Sequence, residues 1–173
     1  MTHHAATPDQ DAETQLEECW SPAGPSVRST SSELDQVWNL DRLSNAARRS
    51  KKESDQDKLW RATFGLDRWW CVPIDSGDGH WAPAAGEIRG VNTLFAFSTE
   101  QRARRFAIEQ NILAAEGEFQ GAPTRPVDIV RNASTYIASG VEAIMIDGHR
   151  TGHFLPMQNL GRYWEQLCGP LPE

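Results

Sequence analysis

The sequence predicts an α/β domain, a small mixed sheet of about four to five strands with helices packed on it, preceded by an acidic disordered tail. Three observations carry this reading. Residues 68–74 and 91–97 are aromatic and β-branched enough to be strands, and residues 141–147 are almost continuously apolar, as in a strand covered on both faces. Around them, apolar residues recur at helical spacing. The strands that follow Gly90 and Gly140 are joined through helices, so a right-handed crossover can lay them parallel.

Taken in chain order, the tail comes first. Residues 1–40 hold seven acidic side chains against the single Arg28, a balance of −6 out of the chain's formal −7, so the rest of the chain is nearly neutral. Residues 1–31 carry Pro8, Pro22, Gly24 and Pro25, and the cluster Ser29, Thr30, Ser31 and Ser32 lies at their end. They bury too little apolar surface to offset an ordering cost of about 1–2 kcal/mol per residue. Within them, Leu16, Cys19 and Trp20 are spaced i, i+3, i+4, as a short docking helix would require.

Residues 32–173 then form one domain. Leu34, Val37, Trp38, Leu43, Ala46, Ala47, Leu59, Trp60 and Phe64 recur at helical spacing around a polar stretch, which predicts two helices with a break. Ser54 with Asp57 reads as the start of the second helix and Gly65 as its end. The strand at 68–74 runs into Pro73 and a turn, and its adjacent Trp69 and Trp70 must face opposite sides of the sheet. Residues 80–83 read as a short edge segment and 91–97 as the second clear strand. Ser98 with Gln101 reads as a capping box for a helix over about 99–110, with Ala103, Phe106, Ala107 and Ile108 as its apolar stripe. A further helix covers 127–139 and stops at Gly140, where the strand 141–147 begins. Asp147-Gly148 opens a turn, 153–156 return antiparallel, and 157–167 close the chain as a helix with Leu160, Tyr163, Trp164 and Leu167 inward.

Three segments carry a family resemblance. Leu59-Trp60 leads into Trp70-Cys71-Val72-Pro73-Ile74. Leu94-Phe95-Ala96-Phe97-Ser98-Thr99-Glu100 is followed by Arg102 and Phe106. Gly140-Val141-Glu142-Ala143-Ile144-Met145-Ile146-Asp147 completes the set. Together they resemble the N-terminal domain of the bacterial SseB-like proteins, known as enhanced serine sensitivity proteins. The family pattern ends its last strand in Asn-Pro, where this chain has Asp147-Gly148. The resemblance implies an α/β fold and supplies no catalytic residue.

Composition excludes several activities. The acidic balance removes the general attraction to nucleic acid or an anionic membrane surface. No apolar run is long enough for a membrane helix and no leader follows Met1, so a cytoplasmic protein is expected. Cys19, Cys71 and Cys168 are too few and scattered for a disulfide framework. Gly77-Asp78-Gly79 is followed by His80, Trp81 and Pro83 rather than by a helix, so it is no dinucleotide loop, and neither a P-loop nor a Gly-x-Ser-x-Gly elbow occurs. No cofactor is expected.

Four groups of residues remain as candidates. Asp147, His149 and His153 place three metal-ligand types around one turn, as a metal-binding regulator or metal-assisted hydrolase would need, although the usual helical ligand spacing is missing. Cys71 could be a nucleophile beside His80 or His149, but its strand setting favours a small core residue. The run Arg48, Arg49, Lys51, Lys52 is followed at once by acids and reads as a solvated helix end, while Arg102 and Arg105 share a face that could take a small anion. Finally, seven tryptophans, with Trp69, Trp70 and Trp81 beside His80 around one turn, offer large rigid contact area. The resulting expectation is a non-catalytic protein-binding or assembly domain that uses Trp69, Trp70, His80 and Trp81. The alternatives are the metal site and an immunity or antitoxin-type role suggested by small size and acidity.

Overall fold

A computed structural model of the chain describes residues 31–75, 81–148 and 152–172. The tail expected over residues 1–31 falls almost wholly outside them. The first helix, α1 (Ser31–Ser50), stops where Lys51 takes a left-handed φ of 55°, and α2 (Glu53–Phe64) begins one residue before the expected Ser54 start. Lys52 occupies the N-cap without a side-chain bond, so acidic Glu53 and Asp55 in the first turn are what favour this end.

Next come the strands β1 (Trp69–Cys71), β2 (Pro73–Asp75), β3 (Trp81–Pro83), β4 (Ala85–Ile88) and β5 (Val91–Phe97). The crossover contains α3 (Glu100–Glu109), β6 (Ala122–Thr124), α4 (Pro126–Arg131) and α5 (Ala133–Ala138). It leads to β7 (Ala143–Ile146), β8 (His153–Pro156) and α6 (Met157–Cys168). The main sheet runs β6-β1-β5-β7-β8, with β4 sharing the β1 edge of β5, and β2 with β3 form a separate hairpin. Strands β5 and β7 are parallel, Leu94 opposite Ile144, as the crossover requires. The other pairings are antiparallel, so the sheet is mixed.

Side-chain alternation splits the core into two layers. Trp69, Cys71, Leu94, Ala96, Ile144 and Ile146 face a large cluster with Leu59, Trp60, Phe64, Ile129, Leu160 and Leu167 from the helices. Trp70, Val72 and Phe97 face the other way, against Ala103 and Ala107 of α3 and the partly buried Phe106, Leu113 and Phe119. Trp69 and Trp70 do point to opposite sides, and both sides are covered.

Two boundaries differ from the expected ones. Thr99, not Ser98, caps α3, its hydroxyl accepting from the Arg102 amide at 3.2 Å. The helix expected over 127–139 breaks at Asn132, whose side chain donates to the Asp128 carbonyl at 2.8 Å and competes with the backbone there. Gly140 has φ 89° as its helix-ending position demands.

Candidate functional site

At the carboxyl ends of β5 and β7, Asp147 leaves the sheet with φ 52° and lies 1 % exposed. Its Oδ1 accepts from the Ser98 amide at 3.0 Å, and its Oδ2 accepts from the Ser98 hydroxyl at 2.7 Å and from Arg102 Nη1 at 2.6 Å. The second Arg102 nitrogen forks onto both carboxylate oxygens of Asp41 in α1, each at 2.8 Å. Burial opposes the Arg102 charge, but Asp147 and Asp41 outweigh it and hold its pKa above the ordinary value. The node ties α1, α3 and the β7–β8 turn together.

This node corrects two expectations. The Arg102–Arg105 anion site is not formed, because Arg102 is occupied by carboxylates of its own chain and Arg105 pairs with Glu109 at 2.8 Å. Asp147 is likewise bound to a guanidinium instead of facing His153 as a co-ligand. His153 points into the large cluster, where Nε2 lies 2.8 Å from Thr63 Oγ1 and the ring meets Trp60 edge-on at 4.8 Å. His149 lies outside the described residues, among which no group of three His, Cys, Asp or Glu side chains is arranged to hold a metal.

Thr63 fixes the form of His153. The Thr63 hydroxyl donates to the Leu59 carbonyl at 2.8 Å, so toward His153 it accepts, which places the imidazole proton on Nε2. Nδ1 is then a buried acceptor, with no hydrogen-bond partner among the described residues. Burial drives the His153 pKa down to about 4, against a weaker upward pull from Asp147. His153 is a neutral core residue.

The indoles separate by environment. Trp69 is fully buried and its Nε1 donates to the Thr63 carbonyl at 3.0 Å, satisfying one of the last carbonyls of α2. Trp70 is 7 % exposed, packed beneath α3. Neither can serve as docking surface, which corrects the expectation for both: flanking helices cover both faces of β1. Trp81 is 51 % exposed, and His80 lies outside the described residues. Cys71 is buried, its thiol pushed up to about 12 by burial, so it is no nucleophile.

Trp81 does not stand on a flat surface. It borders a groove of about 290 Å³ lined also by Val72 and Pro73, by Ala107 of α3, and by Ile112, Leu113 and Phe119 from the segment between α3 and β6. Among the described residues the lining is mostly apolar, and Glu118 is its one ionisable side chain. Arg104 holds that segment by donating to the Ala115 carbonyl at 2.7 Å. The outer wall was not foreseen, although Ile112, Leu113 and Phe119 are apolar residues in an otherwise polar connection and signal a segment that folds back.

Trp38, 74 % exposed on α1, is more open still. Among the described residues its surroundings, Asp41, Arg42, Asn45, Ala46 and Arg49, all belong to the same helix, with no wall from a second element. No helix among the described residues is long and apolar enough to cross a membrane. A scan against protein-family models finds no matching family, and no curated protein matches the chain.

Proposed function

We propose that this chain is a non-catalytic protein-binding domain of the cytoplasm, related in fold to the SseB-like domains its motifs resemble, and that Trp81 with the groove beside it is its contact surface. One observation carries the reading: a half-exposed tryptophan borders an apolar concavity built from three separate parts of the chain. Concave apolar sites with a few polar groups are where ligands and hot-spot side chains lodge. An indole at the rim adds rigid contact area with little entropy to lose. The Asp147, Arg102 and His153 groups support structure instead, since each is spent on partners within the chain.

The test compares two exposed indoles. A partner isolated with the wild-type chain should be lost on Trp81→Ala and kept on Trp38→Ala, although Trp38 is the more exposed. A wild-type chain that retains no partner, or a partner lost equally with both variants, removes the reading.

A further inference from the structure

Resting on that reading, we infer that the Trp81 groove takes an apolar anchor side chain flanked by Lys or Arg on the partner polypeptide. Three features define this occupant. First, the groove's volume of about 290 Å³ sits at the small end of ligand sites, the scale of one or two side chains rather than a whole helix face. Second, the recognition is by side-chain insertion. The β2–β3 hairpin offers three-residue strands with Pro73 opposite Pro83, and proline has no N–H to give an added strand. Val72, Ala107, Ile112, Leu113 and Phe119 supply apolar walls and no directional bonds, so what they select is an aliphatic or aromatic side chain.

Third, among the described residues the lining carries charge of one sign. Glu118 is exposed and is the only ionisable group of the described lining. A cation placed beside the buried anchor meets the Glu118 carboxylate and the face of the Trp81 indole, which attracts cations as well. An acidic neighbour at the same place meets repulsion from Glu118. The groove therefore discriminates by charge at its rim after selecting by apolarity at its floor.

The experiment titrates the full chain with three blocked pentapeptides, acetyl-Gly-Lys-Leu-Lys-Gly-amide, its Glu-Leu-Glu counterpart and the Lys-Gly-Lys peptide without an anchor. Binding is followed by the indole N–H resonance of Trp81, assigned by its absence in Trp81→Phe. The Lys-Leu-Lys peptide should bind about fivefold more tightly than Glu-Leu-Glu at low salt, the ratio should fall toward one in Glu118→Gln, and Lys-Gly-Lys should leave the resonance in place. Equal affinity of the two leucine peptides, a ratio that survives Glu118→Gln, or equal binding of Lys-Gly-Lys overturns the partner chemistry while leaving Trp81 as a contact surface. Silence of the Trp81 resonance toward all three overturns both.

Discussion

Arg102 Nη1 stands 2.6 Å from Asp147 Oδ2, and both side chains are buried, at 9 % and 1 % exposure. That bond decides what the β7–β8 turn is for. A carboxylate that a cation and two Ser98 donors already satisfy is a structural anchor, and its release would leave the buried guanidinium with Asp41 as its one carboxylate partner among the described residues.

The node therefore predicts an asymmetric set of stabilities. Arg102→Met leaves the buried Asp147 charge without its cation and should cost about 3–5 kcal/mol. Asp41→Asn removes a partner that is 20 % exposed and should cost about 1 kcal/mol or less. Asp147→Asn, which tolerates the left-handed backbone at φ 52°, should lie between them. Urea unfolding of the three variants measures the order, and an Arg102→Met midpoint equal to the wild type would show that the node does not hold in solution.

Sequence reasoning went astray here for a physical reason. Asp147, His149 and His153 are neighbours in a seven-residue span, so local spacing suggested shared ligation, but the partners that matter are Arg102, 45 residues away, and Thr63, 90 residues from His153. Alternation along β1 correctly put Trp69 and Trp70 on opposite faces. What it could not supply was cover, because the second layer over Trp70 comes from α3 and from Phe119 folding back across a long connection. The short strand β6 was missed on similar grounds: three residues including Pro123 have no strand pattern of their own and exist as a strand through pairing with β1. Elements with strong local signals, β5, β8, α3 and α6, fell within one or two residues of their expected places.

The contrast between Trp69 and Trp81 yields a second prediction. Trp69→Ala removes a fully buried ring that stacks on Phe64 at 6.0 Å and leaves the Thr63 carbonyl without its indole donor. It should cost about 3–5 kcal/mol. Trp81→Ala should change stability by about 0.5 kcal/mol while abolishing partner binding. Thermal unfolding alongside a binding assay separates the two roles, and a Trp69→Ala chain of wild-type stability would refute the burial described above.

A third concerns the wall of the groove. A Cβ on Gly121 would come 2.6 Å from Phe119 Cε1 and 3.0 Å from Trp70 Cε3. Gly121→Ala must push one ring away. Because Phe119 also lines the groove, the variant should lose about 1–3 kcal/mol and weaken the Lys-Leu-Lys peptide together. Loss of either property without the other would separate the groove from the second core layer.

A fourth concerns thiol reactivity. Cys71 is buried with its thiol pushed up to about 12, whereas Cys168 is exposed at the end of α6. Maleimide at pH 7 should modify exposed Cys168 in the folded protein, slowed by the partial burial that raises its thiol pKa, and Cys71 only after unfolding. Peptide mapping by mass spectrometry reads both sites, and early labelling at Cys71 would mean that β1 opens from the sheet.

The last prediction follows from the proton on His153. Its folded pKa of about 4 lies below the ordinary 6.5 of the unfolded chain because burial disfavours the charged ring, and a proton added at Nδ1 would be buried with no acceptor among the described residues. Between pH 6.5 and 4 the unfolded state therefore binds more protons than the folded one, so stability must rise with pH across that window. Above pH 6.5 the full stability is present. It is lost as the pH falls toward 4, by about 3 kcal/mol from this group, with no further loss from it below. His153→Leu keeps an apolar group beside Trp60 and removes the titration, and Thr63 retains its bond to the Leu59 carbonyl at 2.8 Å. Subtracting the unfolding free energies of this variant from those of the wild type at each pH cancels the carboxylates common to both. The difference should slope between pH 6.5 and 4 and be level above 6.5; a flat difference throughout would mean that His153 titrates alike in the folded and unfolded chains, as a solvated ring does, and that the layer between α2 and β8 is not the closed core that carries this fold.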